Sequence, residues 1–308
     1  MRYWVGVTDN NWFQHLAQRQ FDEVNFWQPS AKPLFTNLQP GTPFLFKVKR
    51  PHNHIAGGGF FVKYSTLPLN TAWEAFGQKN GADTLDQLDR LIRPLSPDPK
   101  SPTLEIGCTV LTAPFFLPRD QWIPMPDDWS TNIVRGKTYD TVTPEGAHLW
   151  ALVQANMTQP QTGNFVAEPQ EVYGARYGDE FLTRSRLGQG AFRVLVTEAY
   201  NKRCAITGES TLPVLEAAHI KPFALEGPNS TSNGLLLRSD FHKLFDLGLV
   251  TVTPELDVLV SKRIKDLWYN GKAYYRLHGE KMAVIPTNPT ERPNKDYLQW
   301  HLDTRFAE

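Results

Sequence analysis

The chain has 308 residues, 41% of them apolar and 21% charged. That balance suits soluble packed domains, about two of them at roughly 100–200 residues each. Its 32 Lys and Arg match 32 Asp and Glu, giving a net charge of zero, which excludes a uniformly basic, nonspecific nucleic-acid binder; any such affinity must come from local patches. Residues 1–173 carry 14 basic and 16 acidic side chains and residues 174–308 carry 18 and 16, so neither half stands out. No apolar run reaches the length of about 18 that a membrane helix needs. The opening MRYWVGVTDNNW lacks the basic region and apolar stretch of a secretory signal. A cytoplasmic protein with no membrane partner is therefore expected. Cys108 and Cys204 are the only cysteines; they make neither a disulfide framework nor a four-cysteine zinc site and read as buried thiols.

In chain order, Tyr3–Val7 reads as a strand and Asn11–Gln18 as a helix. Pro43–Lys49 and Phe60–Tyr64 alternate as strands do, and the glycine-rich PHNHIAGGG between them reads as a turn. Thr71–Phe76 and Thr84–Ile92 are predicted helices, the second with leucines at helical spacing after a capping start. Residues 104–117 return to strand. The stretch 118–178 is rich in Pro, Gly, Asn and Gln, and its later part reads as a linker. Phe181–Asn201 is helix-rich and leads into a second domain. The expected class is α+β, with a first domain over 1–135, a linker over 136–178 and a second domain over 179–308.

The informative segment runs from Cys204 to Val252. Val214–Ile220 suits a strand that carries His219 near its end; the polar loop EGPNSTSN follows and ends at Asn233; Gly234–Arg238 is a second short strand. Ser239 is a suitable helix cap for Asp240–Leu247, which Gly248 closes. His242 and Asp246 are four residues apart and share one helix face. One imidazole from a strand and two ligand-type side chains from a helix are groups that can hold a divalent ion against a phosphate.

This segment resembles the HNH (ββα-metal) nuclease family. The resemblance rests on His219, Asn233 fourteen residues on and His242 nine residues further, set in EAAHIKP…NGLLLRSDFHKLFDLGL. It implies that His219 is the general base, that Asn233 pins the loop and orients His219, and that His242 binds the metal. Asp246 stands where many relatives have a second histidine ligand, and a carboxylate suits a hard cation such as Mg²⁺ or Mn²⁺. Where many relatives carry a further ligand, just before the general base, this chain has Ala218; Glu216, Asp240 or water is the candidate replacement, and Glu216 alternatively orients a ligand. The paired CxxC motifs of many relatives are missing, so no structural zinc is expected. Arg184, Arg186, Arg193, Lys202, Arg203 and Lys221 are candidate contacts to the DNA backbone, with Arg186, Arg193 and Lys221 foremost.

In the first half, YWVGVTDNNWF, VNFWQPS, PGTPFLFKVK, NHIAGGGFF and TAWEAFGQKNGA resemble, in order of elements, the PUA-like superfamily, whose EVE, YTH and SRA branches read modified bases. The resemblance implies a β-barrel with flanking helices and a pocket for a base taken out of the stack. Trp12, Trp27, Phe35 and Trp73 are the wall candidates, with Asn10, Asn25 and Gln28 as polar partners. Together the two resemblances imply a modification-dependent DNA endonuclease, of the type IV restriction kind, acting as a homodimer on double-stranded DNA that carries 5-methylcytosine or 5-hydroxymethylcytosine. The alternatives are an HNH nuclease whose target is a sequence, a phosphorothioate or RNA, and a nucleic-acid-binding protein with an inactive HNH domain.

Overall fold

The computed structural model describes residues 1–33, 35, 38–157 and 187–308, and the chain divides into two units, Met1–Arg186 and Leu187–Glu308. In the first, β1 (Arg2–Thr8), β2 (Glu23–Gln28), β3 (Pro43–Val48), β4 (His54–Pro68), β5 (Glu105–Phe116), β6 (Ile123–Pro124) and β7 (Gly136–Asp140) form one sheet. Its order is β2-β5-β4-β3-β1-β7, with β6 on β4. Only β1 and β3 run parallel. Their residues alternate between two apolar layers, as a pleated strand requires. Trp4, Phe44, Phe46 and Val48 enter one cluster, and Tyr3, Val5 and Leu45 enter the other.

The sheet curls strongly. Phe26 of β2 has its ring 4.8 Å from that of Phe44 and 6.2 Å from that of Phe46 on β3, although β5 and β4 lie between these strands in the sheet. Helix α1 (Asn10–Ala17), capped by the Asp9 carboxylate accepting from Asn11 N and Trp12 N, lays Trp12, Phe13 and Leu16 into this inner cluster. The outer cluster takes Leu149, Trp150 and Val153 from α4 (Pro144–Met157). Helices α2 (Leu69–Phe76) and α3 (Leu85–Ile92, capped by Thr84) fill the connection between β4 and β5.

Two expectations about the first unit need correction. Gly57, Gly58 and Gly59 lie inside β4, not in a turn; a Cβ on Gly57 would sit 2.3 Å from the Phe115 carbonyl oxygen, so glycine here allows β5 to approach. Residues 136–157 are not linker: β7 pairs with β1 and α4 packs on the sheet. Strand β2 buries five of its six residues, the polar Glu23, Asn25 and Gln28 among them.

In the second unit, β8 (Leu215–His219) and β9 (Gly234–Arg238) pair antiparallel, with His219 opposite Gly234. Helix α5 (Gln189–Ala199) packs across them, and a Cβ on Gly234 would fall 2.4 Å from Val196. Helix α6 (Ser239–Asp246) buries Phe241 and Phe245. Ser239 is its first residue rather than its cap; Arg238 holds the cap position, with no side-chain capping bond. Gly248 ends the helix at φ +67°. Strands β10 (Val250–Val252) and β11 (Val258–Val260), helices α7 (Arg263–Trp268) and α8 (Lys272–Tyr275), and α9 (Lys295–Thr304) complete the unit. His301 of α9 is structural: its ring stacks on Phe245 and bonds Thr251 Oγ1 and the Phe245 carbonyl, and burial pushes its pKa down to about 4. Cys204 Sγ accepts backbone N–H groups of Thr207 and Arg238. Among the described residues no helix is long and apolar enough to cross a membrane.

Candidate active site

The loop between β8 and β9 is held from inside. Asn233, fully buried, accepts from Lys221 N through Oδ1 and donates through Nδ2 to the carbonyls of Lys221 and Pro228, all at 2.9–3.0 Å. Gly227 is required by the same closure, since a Cβ there would lie 1.8 Å from the Lys221 carbonyl. Asn233 thus pins the loop, and its side-chain bonds go to the loop's backbone rather than to His219.

His219 is oriented instead by Asn229 and Phe192. Its ring lies flat on Phe192 of α5, centroids 3.9 Å apart and 10° from parallel. Its Nε2 is 2.8 Å from Asn229 Oδ1. Asn229 Nδ2 donates to the Leu187 carbonyl at 2.6 Å, which fixes the amide with its oxygen toward His219. Nε2 is therefore the protonated nitrogen, and the lone pair of neutral His219 sits on Nδ1. Burial lowers the His219 pKa below the ordinary histidine value; the Asn229 bond opposes this, His242 adds to it and Asp246 opposes it. His219 therefore shares one electrostatic neighbourhood with His242 and Asp246, and it is neutral at neutral pH.

His242 Nδ1 stands 2.6 Å from Glu216 Oε2, and its Nε2 stands 3.5 Å from Asp246 Oδ2. Glu216 reaches from β8 and Asp246 from one turn further along α6. A carboxylate on one imidazole nitrogen, with the other nitrogen facing a second carboxylate, is the arrangement in which the first orients the ring and the second shares a cation with it. By donor chemistry, His242 Nε2 and Asp246 suit a hard divalent ion. No three His, Cys, Asp or Glu side chains form a ligand group among the described residues. Ala218 is fully buried in the core, so its position offers no ligand. Asp240 is committed elsewhere: it binds Arg238 through both oxygens at 2.7 Å and accepts from Tyr274, and the Arg238 guanidinium holds its carboxyl below the usual range.

Arg193 follows Phe192 on α5 and is half-buried, and Lys221 is half-buried beside the pinned loop. Arg203 bonds the Gly208 carbonyl and Lys202 pairs with Glu198. Arg184 and Arg186 lie outside the described residues.

The first unit has a cavity of about 380 Å³ between the ends of β1, β2 and α3, a size within the usual range for small-ligand sites. Trp12, Phe26 and Trp27 give it apolar walls, and Asp9, Gln28 and Lys49 add polar groups. Both indoles are fixed, Trp12 Nε1 by the Asn25 carbonyl at 3.3 Å and Trp27 Nε1 by the Asn80 carbonyl at 2.9 Å. Gln28, 3% exposed, donates to Thr109 Oγ1 at 3.3 Å, while its Oε1 is buried with no partner among the described residues.

The other expected wall and polar residues are elsewhere. Phe35 packs edge-on against Trp4, Phe44, Phe61 and Tyr64. Asn10 clips the turn after β3, accepting from Lys49 N and donating to the carbonyls of Lys49 and Arg50. Trp73 lies on α2, away from the cavity lining, and the Asn25 amide faces Asn80 and Cys108. Sequence reading missed Phe192, Asn229, Asp9 and Lys49. Asn229 was visible only as one of two asparagines in EGPNSTSN.

Among solved structures, the ASCH protein from Zymomonas mobilis aligns at a TM-score of 0.34 and 10% identity, covering 48% of this chain and 93% of that one. The modification-dependent TagI restriction endonuclease aligns at a TM-score of 0.28 and 14% identity, covering 96% of this chain and 80% of that one. No activity is carried over from either. No curated protein matches. The family model for HNH endonucleases matches residues 204–253, the segment that holds His219, Asn229, Asn233, His242 and Asp246. The protein therefore carries an HNH endonuclease domain and is a nuclease.

Proposed function

We propose that the chain is a modification-dependent DNA endonuclease in which a PUA-like first unit reads a modified cytosine and the HNH unit cuts the phosphodiester backbone. The observation that carries the cutting half is the fixed tautomer of His219. Neutral, stacked on Phe192 and bonded through Nε2 to Asn229, it presents Nδ1 as a base. It takes a proton from a water, whose oxygen attacks the scissile phosphorus. His242 Nε2 and Asp246 would hold a Mg²⁺ or Mn²⁺ ion, with Glu216 orienting His242 from Nδ1. When bound, that ion supplies positive charge to the phosphate and its leaving oxygen. Arg193 and Lys221 contact phosphates beside the cut.

The reading half rests on the cavity. A flipped base fits between Trp12 and Trp27, and the buried Gln28 Oε1 accepts from an exocyclic amine such as that of cytosine. An unpaired buried acceptor costs about 1–3 kcal/mol, recovered when a donor meets it. A 5-methyl or 5-hydroxymethyl group filling an apolar slot adds about 1–3 kcal/mol of discrimination. Cutting both strands takes two such centres or one used twice, and the working form proposed is a homodimer acting on double-stranded DNA in the cytoplasm.

The substitution His219→Ala tests the cutting half. Metal-dependent cleavage should fall by about 10²–10⁴-fold, the usual worth of general-base catalysis, while DNA binding by the same protein is kept. Unchanged cleavage would remove His219 from the chemistry. An unsubstituted protein that binds DNA and never cuts it would make this a binding protein with an inactive centre.

A further inference from the structure

The nuclease unit is close to neutral, since residues 187–308 carry 15 basic and 14 acidic side chains. The charge is not evenly spread. Residues 262–276 hold five cations, Lys262, Arg263, Lys265, Lys272 and Arg276, against one acid, Asp266. All five are exposed. Lys243, also exposed, lines a groove of about 520 Å³ together with Trp268 and Lys272. Among the described residues none of these six cations makes a salt bridge, whereas Arg238 and Lys281 in the same unit are paired.

Large apolar side chains stand among the charges. Trp268 is 57% exposed and Tyr269 is 91% exposed. Tyr269 has φ +55°, a conformation that a tyrosine adopts at a cost of about 1–2 kcal/mol. That turn ends α7, with Tyr269 N–H donating to the Lys265 carbonyl, and leaves two aromatic rings exposed between cationic side chains. Lys243 follows His242 on α6, so the groove borders the helix that carries His242.

Resting on the nuclease reading above, we infer that the α7–α8 segment with Lys243 is a sequence-independent clamp for the DNA flanking the cut. The cations contact phosphates, and Trp268 and Tyr269 pack into the groove of the duplex. A second copy of the chain is a poor occupant, because a two-fold interface would set this positive patch against itself.

The test uses full-length protein carrying His219→Ala, so that DNA stays intact, and follows binding to a duplex by fluorescence anisotropy across a KCl series. Lys262→Gln, Arg263→Gln and Lys265→Gln together should flatten the plot of log affinity against log salt by about 2–3, near 0.9 for each lost phosphate contact. Trp268→Ala with Tyr269→Gly should weaken binding at least several-fold and leave the slope unchanged. Parental slope and affinity in both sets would overturn the clamp and leave the nuclease reading standing. So would weaker binding by the charge set at the parental slope, since that is loss without phosphate contacts. Failure of the parent to bind any duplex would overturn both.

Discussion

The two candidate sites meet opposite electrostatic demands. In the nuclease unit the working groups are wired to each other before any substrate arrives: His219 to Asn229, Asn229 to the Leu187 carbonyl, His242 to Glu216, and Asn233 to both ends of its loop. In the proposed reaction the atoms handled there are charged and move, which suits fixed nitrogen lone pairs with carboxylates near water. In the first unit the cavity sets indole and phenyl walls beside Asp9, Gln28 and Lys49. Its indole N–H groups are held by backbone carbonyls, and the buried Gln28 amide oxygen has no donor among the described residues. That site suits a flat, neutral ligand that brings its own donor.

This contrast can be broken at several points. The largest expected effect is at Asn233. Its change to Ala leaves three backbone groups without their partner and should lower the stability of the second unit by about 2–4 kcal/mol, measured as the shift of its denaturant midpoint. A shift near zero would mean that the loop is not held from inside. Next is Trp27→Ala, which should erase most of a preference for modified over unmodified duplex, itself about 10–200-fold for one small apolar group. Competition cleavage of the two duplexes in one tube reads it directly. Asn10→Ala, whose amide clips the turn after β3, should change that preference less than about two-fold, within the scatter of a surface change. Equal effects at Trp27 and Asn10 would dissolve the cavity as the recognition site.

The smallest effect is in the pH profile. In the proposed role His219 acts only when neutral, and burial holds its pKa below the ordinary histidine value. Cleavage should therefore rise with pH on a limb centred below about 6.5 and be flat by neutrality. The Asn229 bond favours the protonated ring, so Asn229→Ala should move the limb to lower pH while also reducing the maximal rate. A limb centred above about 6.5 would place another group in the role of base.

The uneven legibility of the two sites in the sequence follows from how each is built. Glu216, His219, Asn233, His242 and Asp246 fall within one short segment whose strands and helix pack on each other, so linear spacing nearly fixes their geometry. What escaped was Phe192, which comes from α5, and the choice between Asn229 and Asn233, which loop geometry alone decides. The cavity is assembled differently. Its lining runs from Val7 to Arg135 and meets only because the sheet curls β2 back over β3. No local pattern encodes that. Phe35, in a proline-bearing polar stretch, reads like a pocket wall and lies among four aromatic rings. Trp12 and Trp27 read the same way, and they do line the cavity. The β4 glycines read as a turn because glycine signals backbone freedom, whereas here it provides room for a neighbouring strand. Residues 136–157 read as linker because β7 is short and polar on one face.

The most direct test of the central claim is a digest of one plasmid prepared with cytosine, 5-methylcytosine or 5-hydroxymethylcytosine, with Mg²⁺ or Mn²⁺ and with EDTA. Cutting of a modified form alone, abolished by EDTA, is the predicted result. Equal cutting of all three forms would keep the HNH nuclease and contradict the recognition of modified cytosine by the first unit.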